Sequence, residues 1–339
     1  MAAVKNVLIV GGGPAGLCAA TVLCKRGIDV EIAEINADLR PLGSGLSMMG
    51  PTLRALRMVD DEALERCIDE GFGHHALSFG TVEGQIVQRV ELPRAAGPEY
   101  PGGCGIMRPV FWGMLAEIAE KAGARIRLST TVATIEPGAE KVNVTLSDGS
   151  RAEYDLVVGA DGLRSKVRDL AFPDVPQPFF TGQTVWRMTL PRPDEISDGI
   201  VMYYGPRNKV GCSPLSDNEM YIFVVENTPE ITRPPQEEWP ALVQALLTEY
   251  RGVIAWVRDQ ATDPARIDRR PLHAILVPRP WYRERVLLIG DAVHAATPQL
   301  AMGAGIAIED AVVLGDVLGS NPDLGDALAA FMERRWERC

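Results

Sequence analysis

No two of the six cysteines (Cys18, Cys24, Cys67, Cys104, Cys212 and Cys339) form a C-x-x-C pair, and none joins a histidine at zinc-ligand spacing. A zinc site is therefore not expected. The scatter suits a reducing compartment, where cysteine serves as a small buried apolar residue. Long apolar runs are lacking too, with nothing approaching the ~20 residues that span a bilayer. The run at 7–10 is too short for a signal-peptide core, and it ends in a glycine turn instead of a small-residue cleavage site. Basic charge is in deficit: 34 Lys and Arg stand against 45 Asp and Glu, and the net charge of −11 sets up a field that repels nucleic acid and anionic membranes. A local basic patch for a phosphate-bearing ligand is compatible with that total, because a few residues decide it. No internal repeat or low-complexity tract is present. These absences point to a cytoplasmic protein with neither nucleic acid nor membrane as partner.

The 339 residues, 46% hydrophobic and 23% charged, have the composition of a soluble globular chain long enough for more than one structural unit. Residues 6–10 form a short apolar run of the kind that makes a buried parallel strand. It leads into Gly11-Gly12-Gly13-Pro14-Ala15-Gly16, which places Gly11, Gly13 and Gly16 in a G-x-G-x-x-G pattern. The first glycine makes a tight turn, the second lets the backbone approach a pyrophosphate, and the third lets helix pack on strand. The following helix carries Leu17, Ala20, Val22, Leu23 and Cys24 toward its buried face, and Gly27 closes it. A second strand at 29–33 ends at Glu34, 18 positions after Gly16, close to the spacing of a carboxylate that grips adenosine ribose hydroxyls. That carboxylate also disfavours a 2′-phosphate in the same pocket. The segment reads as a dinucleotide site.

Two later segments repeat the theme of a buried strand ending in a turn. Residues 154–162 end in Asp161-Gly162, with Arg164, Lys166 and Arg168 following. Residues 286–292 end in Gly290-Asp291-Ala292. Pro298 then leads to Gly303-Ala304-Gly305 and a helix over about 306–318. Asp291, at the C-terminal end of a strand, can accept hydrogen bonds from sugar-alcohol hydroxyls. The helix starting near Gly303 presents an N-terminus that favours an anion by ~0.3–1 kcal/mol.

Taken together, these segments resemble the class A flavin-dependent aromatic hydroxylases, the family of para-hydroxybenzoate and salicylate hydroxylases, in order and spacing across essentially the whole chain. The resemblance implies an FAD cofactor held by the fingerprint (Gly11, Gly13, Pro14, Ala15, Gly16 and Glu34), by an Asp-Gly motif around Asp161, and by a Gly-Asp motif in which Asp291 follows Gly290. It also implies a flavin-facing loop and helix start (Pro298, Gly303, Ala304, Gly305), and a cofactor contact from Arg108, which precedes a helix at 109–119. The family's loop often reads Pro-x-x-Gly-x-Gly; here Ala301 stands for the first of those glycines. His294 reads as packing, because spacing alone provides no carboxylate partner. No catalytic base can be named.

The implied fold is α/β, a Rossmann-like FAD-binding domain interleaved with an antiparallel-sheet substrate domain. The cofactor domain would comprise 1–72, 101–175 and 276–339, the substrate domain 73–100 and 176–275. Short strands are expected at 184–190, 199–204, 209–214 and 220–226, with a hairpin around Glu83-Gly84 and a helix at 238–250. Trp186, Met188, Tyr203, Cys212 and Phe223 are the substrate candidates, with Arg187 and Tyr204 on the other face if the strands are regular. A final amphipathic helix is expected at 327–339, beyond which the family usually continues.

The function so implied is a monooxygenase that uses NADH or NADPH and O2 to hydroxylate a small aromatic or heteroaromatic compound through a flavin hydroperoxide. No second full G-x-G-x-x-G is present, so the nicotinamide would visit transiently. Monomer and homodimer are both compatible with the sequence. The rivals are epoxidation or oxidative tailoring of a non-aromatic natural product on the same scaffold, and a flavin-bound module without catalysis. Halogenation is disfavoured by the lack of Trp-x-Trp-x-Ile-Pro.

Overall fold

In the computed structural model, which describes residues 4–39 and 43–339, the apolar run Asn6–Val10 is the central strand of a six-stranded sheet. Strands Asp29–Ala33 and Leu156–Gly159 flank it in parallel, and Arg125–Arg127 and Val286–Leu288 extend the parallel set. Tyr282–Arg283 closes the far edge antiparallel. A parallel sheet must be covered on both faces. The apolar helices Pro14–Cys24 and Gly303–Ser320 pack on each other, and Arg108–Lys121 packs on the first. Their buried side chains merge with the strands into one core.

Three short strands, Gly45–Met49, Gly103–Met107 and Phe72–His74, form a small sheet. A three-stranded meander, Val132–Pro137, Val142–Leu146 and Arg151–Tyr154, precedes the strand at 156–159.

The second layer is a seven-stranded sheet in the order Ile267–Ala274, Phe179–Pro191, Glu219–Asn227, Asn208–Pro214, Gly199–Tyr204, Ala76–Gly80, Ile86–Glu91. Every neighbouring pair is antiparallel except 199–204 with 76–80. The hairpin 76–91 turns at Gly84, whose φ of +85° suits glycine. The helix expected at 238–250 is shorter, Trp239–Leu246. It tightens at its end, where the Leu247 N–H reaches the carbonyls of both Val243 and Gln244 at 3.2 Å. Helix Val253–Gln260 lies beside it, and the two cover one face of the sheet.

Candidate active site

The three sequence segments meet at their glycines. Gly11 has φ +110°, and a Cβ there would lie 2.4 Å from the Ala160 carbonyl oxygen and 2.8 Å from the Asp161 Cα, so this turn closes directly on the Asp-Gly segment. A Cβ on Gly16 would lie 2.0 Å from the Gly11 oxygen, the close helix-on-strand approach expected of the third fingerprint glycine. Gly290, with φ +61°, is wedged between the Ala15 and Ala307 methyls, which a Cβ would meet at 3.0 and 3.3 Å. The fingerprint helix, the Gly-Asp turn and the helix carrying Gly303, Ala304 and Gly305 therefore share one seam.

The buried Glu34 carboxylate accepts from the Gly12 N–H at 2.6 Å and from the Asn36 N–H at 2.8 Å. The Asn36 side-chain amide donates to the same oxygen as its N–H, Oε1, at 2.5 Å, so the carboxylate ties the glycine turn to the end of the second strand and keeps one lone pair, on Oε2, for a ribose. Asp161 does something the sequence did not reveal: its carboxylate accepts from the backbone N–H groups of Lys166 and Val167 at 2.7 and 3.0 Å and from the Ser165 hydroxyl. It tethers the start of helix Lys166–Ala171, and burial raises its pKa.

Whether these residues fit FAD is tested by space and by unused polar atoms. Beside Gly13 and Gly303, at the starts of two helices, an added Cβ would meet nothing within 4 Å, so both leave room for a ligand against backbone N–H groups. The Asp291 carboxylate is open to solvent yet recessed. Burial raises its pKa, His294 and Arg108 pull it back, and no protein donor reaches it among the described residues. Arg108 begins helix Arg108–Lys121 with its Nε buried and unpartnered. Burial and the nearby Arg187 lower its pKa, while Tyr221, Asp268 and Asp291 act the other way. An acidic acceptor, a spare guanidinium donor and two open helix starts fit the polyol, phosphate and ring of an FAD.

A cavity of about 360 Å³ adjoins this seam, lined by Arg108 and by Pro298, Gln299, Leu300 and Ala301 of the loop before helix Gly303–Ser320. Ala301 takes the left-handed conformation (φ +51°) in place of the family's glycine. The opposite wall is the seven-stranded sheet. Its register decides which side chains face in: Arg187 lies opposite Phe223, and Lys209 opposite Val225. Val185, Arg187, Met202, Tyr204, Lys209, Tyr221, Phe223 and Val225 all line the cavity. The Phe223 ring lies across Gly211, where a Cβ would come within 2.0 Å of it.

Four of the five sequence candidates therefore need correcting. Trp186, Met188, Tyr203 and Cys212 are on the other face, buried with Val243, Leu247 and Ile254 beneath the two covering helices. Phe223 alone of the five lines the cavity, together with Arg187 and Tyr204, which regular strands place on the face opposite the other candidates. A larger open groove of about 720 Å³ borders that helix-covered side, by Trp186, Asn208 and Arg269, and contains no residue of the three nucleotide segments. The smaller cavity is the one in contact with the cofactor seam.

The cavity's charge is one-sided. Arg108, Arg187 and Lys209 line it, and no Asp or Glu does among the described residues. Arg187 donates to the Tyr221 hydroxyl at 3.1 Å, and its Nη1 lies 3.8 Å from Asp268. Burial lowers the Lys209 pKa, and its ammonium contacts the Gln299 side-chain oxygen, while the Gln299 amide donates to Gln183 at 2.8 Å.

His294 does have a carboxylate partner, 16 residues on: its Nε2 lies 2.6 Å from Asp310, deep in helix Gly303–Ser320. Burial opposes the imidazolium, but Asp310 and, less strongly, Cys339 together outweigh it and bring the His294 pKa up to about 10. A lone Asp among Ile308, Ala311 and Val312 was the available signal.

Comparison with known proteins agrees with this geometry. A family model described as FAD binding domain matches residues 5–323. The chain is 30% identical over 335 residues to YetM of Bacillus subtilis, covering 98% of this chain and 90% of that one. It is 31% identical over 338 residues to the 2-heptyl-3-hydroxy-4(1H)-quinolone synthase of Pseudomonas aeruginosa, covering 98% and 85%. In fold it matches Klebsiella pneumoniae HpxO complexed with FAD and uric acid, with a TM-score of 0.86 at 23% identity over 98% and 85% of the chains. No helix among the described residues is long and apolar enough to cross a membrane. The chain belongs to the FAD binding domain family, as an FAD-dependent monooxygenase.

Proposed function

We propose that the protein hydroxylates a small aromatic or heteroaromatic compound, using NADH or NADPH and O2 as co-substrates. The observation that carries this reading is the apolar, aromatic-lined cavity directly against the cofactor seam, with cations and, among the described residues, no carboxylate on its wall. An electron-rich ring, with an ionisable hydroxyl or an acidic substituent, complements such a lining. The Pseudomonas aeruginosa relative is named for a quinolone, a heteroaromatic ring.

When bound, FAD supplies the electron storage and oxygen activation that amino acids lack. The chain's own residues bind and orient. Gly11, Gly13, Pro14, Ala15 and Gly16 receive the pyrophosphate, and Glu34 the adenosine ribose. Gly290 and Asp291 receive the ribityl chain, and Arg108, Pro298, Gly303, Ala304 and Gly305 the ring. Asp161 serves by holding the turn beneath Gly11. Phe223, Tyr221 and Met202 place the substrate ring and exclude water from it. Arg187 and Lys209 face its acidic group. The 73–100 and 176–275 segments act as the substrate domain, since both supply strands to the cavity's sheet.

The test is NADH and NADPH oxidation by the purified flavoprotein against hydroxylated aromatic acids and N-heterocycles. Strong acceleration by one ring compound, with a hydroxylated product, is expected. Acceleration only by non-aromatic natural products would replace the ring by a larger scaffold.

A further inference from the structure

The C-terminal helix Leu324–Trp336 contributes nothing to the cavity lining, yet it sends a buried cation toward the cofactor seam. Arg335, 3% exposed, donates through Nε to Asp310 at 2.7 Å and through Nη2 to the Ile306 carbonyl at 3.1 Å; its Nη1 meets Glu309 at 3.2 Å. Asp310, fully buried, accepts on its other oxygen from the Gly290 N–H at 2.8 Å and from His294 at 2.6 Å. One carboxylate therefore receives a guanidinium, an imidazole and the backbone N–H of the residue immediately before Asp291.

We propose that Arg335 is a positioning residue for the FAD site, acting through Asp310 to hold the Gly290–Asp291 turn in its FAD-receiving shape. This rests on the assignment of Asp291 to the cofactor's ribityl chain. Gly290 is already wedged between Ala15 and Ala307, so the free variable of the turn is where its N–H points, and Asp310 fixes that. Asp310 in turn is held against rotation by the Arg335 fork. Charge makes the chain of contacts act as a unit. Arg335 helps keep Asp310 ionised, and that carboxylate holds His294 protonated three residues from Asp291, where its positive charge favours the ionised acceptor. The groups facing His294 are Asp310 from the long helix, Asp291 from its own turn, Cys339 beyond the C-terminal helix, and the Trp281 ring at 5.3 Å; Arg335 acts on it through Asp310. Metal binding is a poorer reading of the His294, Asp310 and Cys339 cluster, because the Arg335 guanidinium already occupies Asp310.

The test titrates apoprotein with FAD by quenching of flavin fluorescence, with the apoprotein melting temperature followed in parallel. Arg335→Met is expected to weaken FAD binding about ten- to a hundredfold, and Arg335→Lys to recover part of that loss by keeping the charge and one donor. Arg334→Met, which removes an exposed partner of Asp316 on the same helix, leaves affinity at the wild-type value. Asp310→Asn gives a readout that a purely structural role does not move. Without the carboxylate, only Cys339 still opposes the burial that lowers His294, so its pKa drops and FAD affinity declines at a lower pH than in wild type, which stays flat from about pH 6 to 9. A folded Arg335→Met protein binding FAD like wild type overturns the proposal, as does a pH-independent Asp310→Asn. If Arg335→Met does not fold, Arg335→Lys and Asp310→Asn decide. Should all variants and wild type alike fail to bind FAD, the cofactor assignment itself falls instead.

Discussion

Arg168 donates to the carbonyl of Ala292, 124 residues away in sequence, at 2.9 Å, and to that of Leu163 at 3.0 Å. It is 1% exposed, and burial lowers its pKa. A guanidinium so placed couples the Asp-Gly segment to the Gly-Asp turn. Arg168→Met leaves two carbonyls short of a donor, each costing about 1–3 kcal/mol where no water enters. The expected result is a lower melting temperature together with weaker FAD binding, read by thermal denaturation and flavin titration.

Glu34→Ala removes the acceptor of the Gly12 and Asn36 N–H groups. FAD affinity is expected to fall roughly ten- to a hundredfold, with the visible spectrum of the bound flavin unchanged, because the loss lies at the adenosine end. Titration under flavin absorbance measures both. A clearly altered spectrum of the bound flavin would place Glu34 elsewhere in the site.

Opposite faces of one sheet give opposite phenotypes. Phe223→Ala is expected to weaken ring-compound binding roughly tenfold or more with a small change in stability, since it opens the cavity wall. Met188→Ala, in the core under the two helices, is expected to cost about 2–5 kcal/mol of stability while leaving ligand affinity intact in the folded fraction. Ligand-induced flavin difference spectra and urea denaturation separate the two.

How far the sequence could be read follows from where information is local. The nucleotide turns were legible because each glycine's role is set by its immediate neighbours, as at Gly11 and Gly16. Strand positions were legible as well, since Gly, Pro, Asn and Asp mark the turns between them. The facing of those strands was not. Val185 and Trp186 are both buried, so this strand lacks the polar–apolar alternation that reveals a water-facing side. Only the register, with Arg187 opposite Phe223, assigns them. Long-range polar pairs were hidden for a related reason: nothing near His294 or Arg168 indicates Asp310 or Ala292.

Two buried histidines set opposite pH limits on stability. His74, fully buried with Nε2 3.0 Å from the Pro214 carbonyl, has its pKa lowered by burial to about 4. The unfolded chain binds that proton near pH 6.5, so this group's contribution is full above about 6.5 and is lost as pH falls toward about 4. Its limit is about 3 kcal/mol at ~1.4 kcal/mol per pKa unit. His294, raised to about 10, contributes fully below about 6.5 and loses its contribution as pH rises toward about 10. His74→Gln is expected to flatten the acid limb and leave the alkaline limb, whereas Asp310→Asn flattens the alkaline limb and, because the Asp310 pKa is itself lowered, alters the acid limb as well, in melting temperature against pH.

The central claim is that oxygen from O2 enters a ring held in the cavity beside Arg187, Lys209 and Phe223. Its most direct test is turnover of the best ring compound under 18O2 with NADH or NADPH, followed by mass spectrometry of the product. The account predicts one labelled oxygen atom in the product for each nicotinamide consumed in coupled turnover. Nicotinamide oxidation that yields hydrogen peroxide and an unlabelled ring, for every compound that binds, would contradict it.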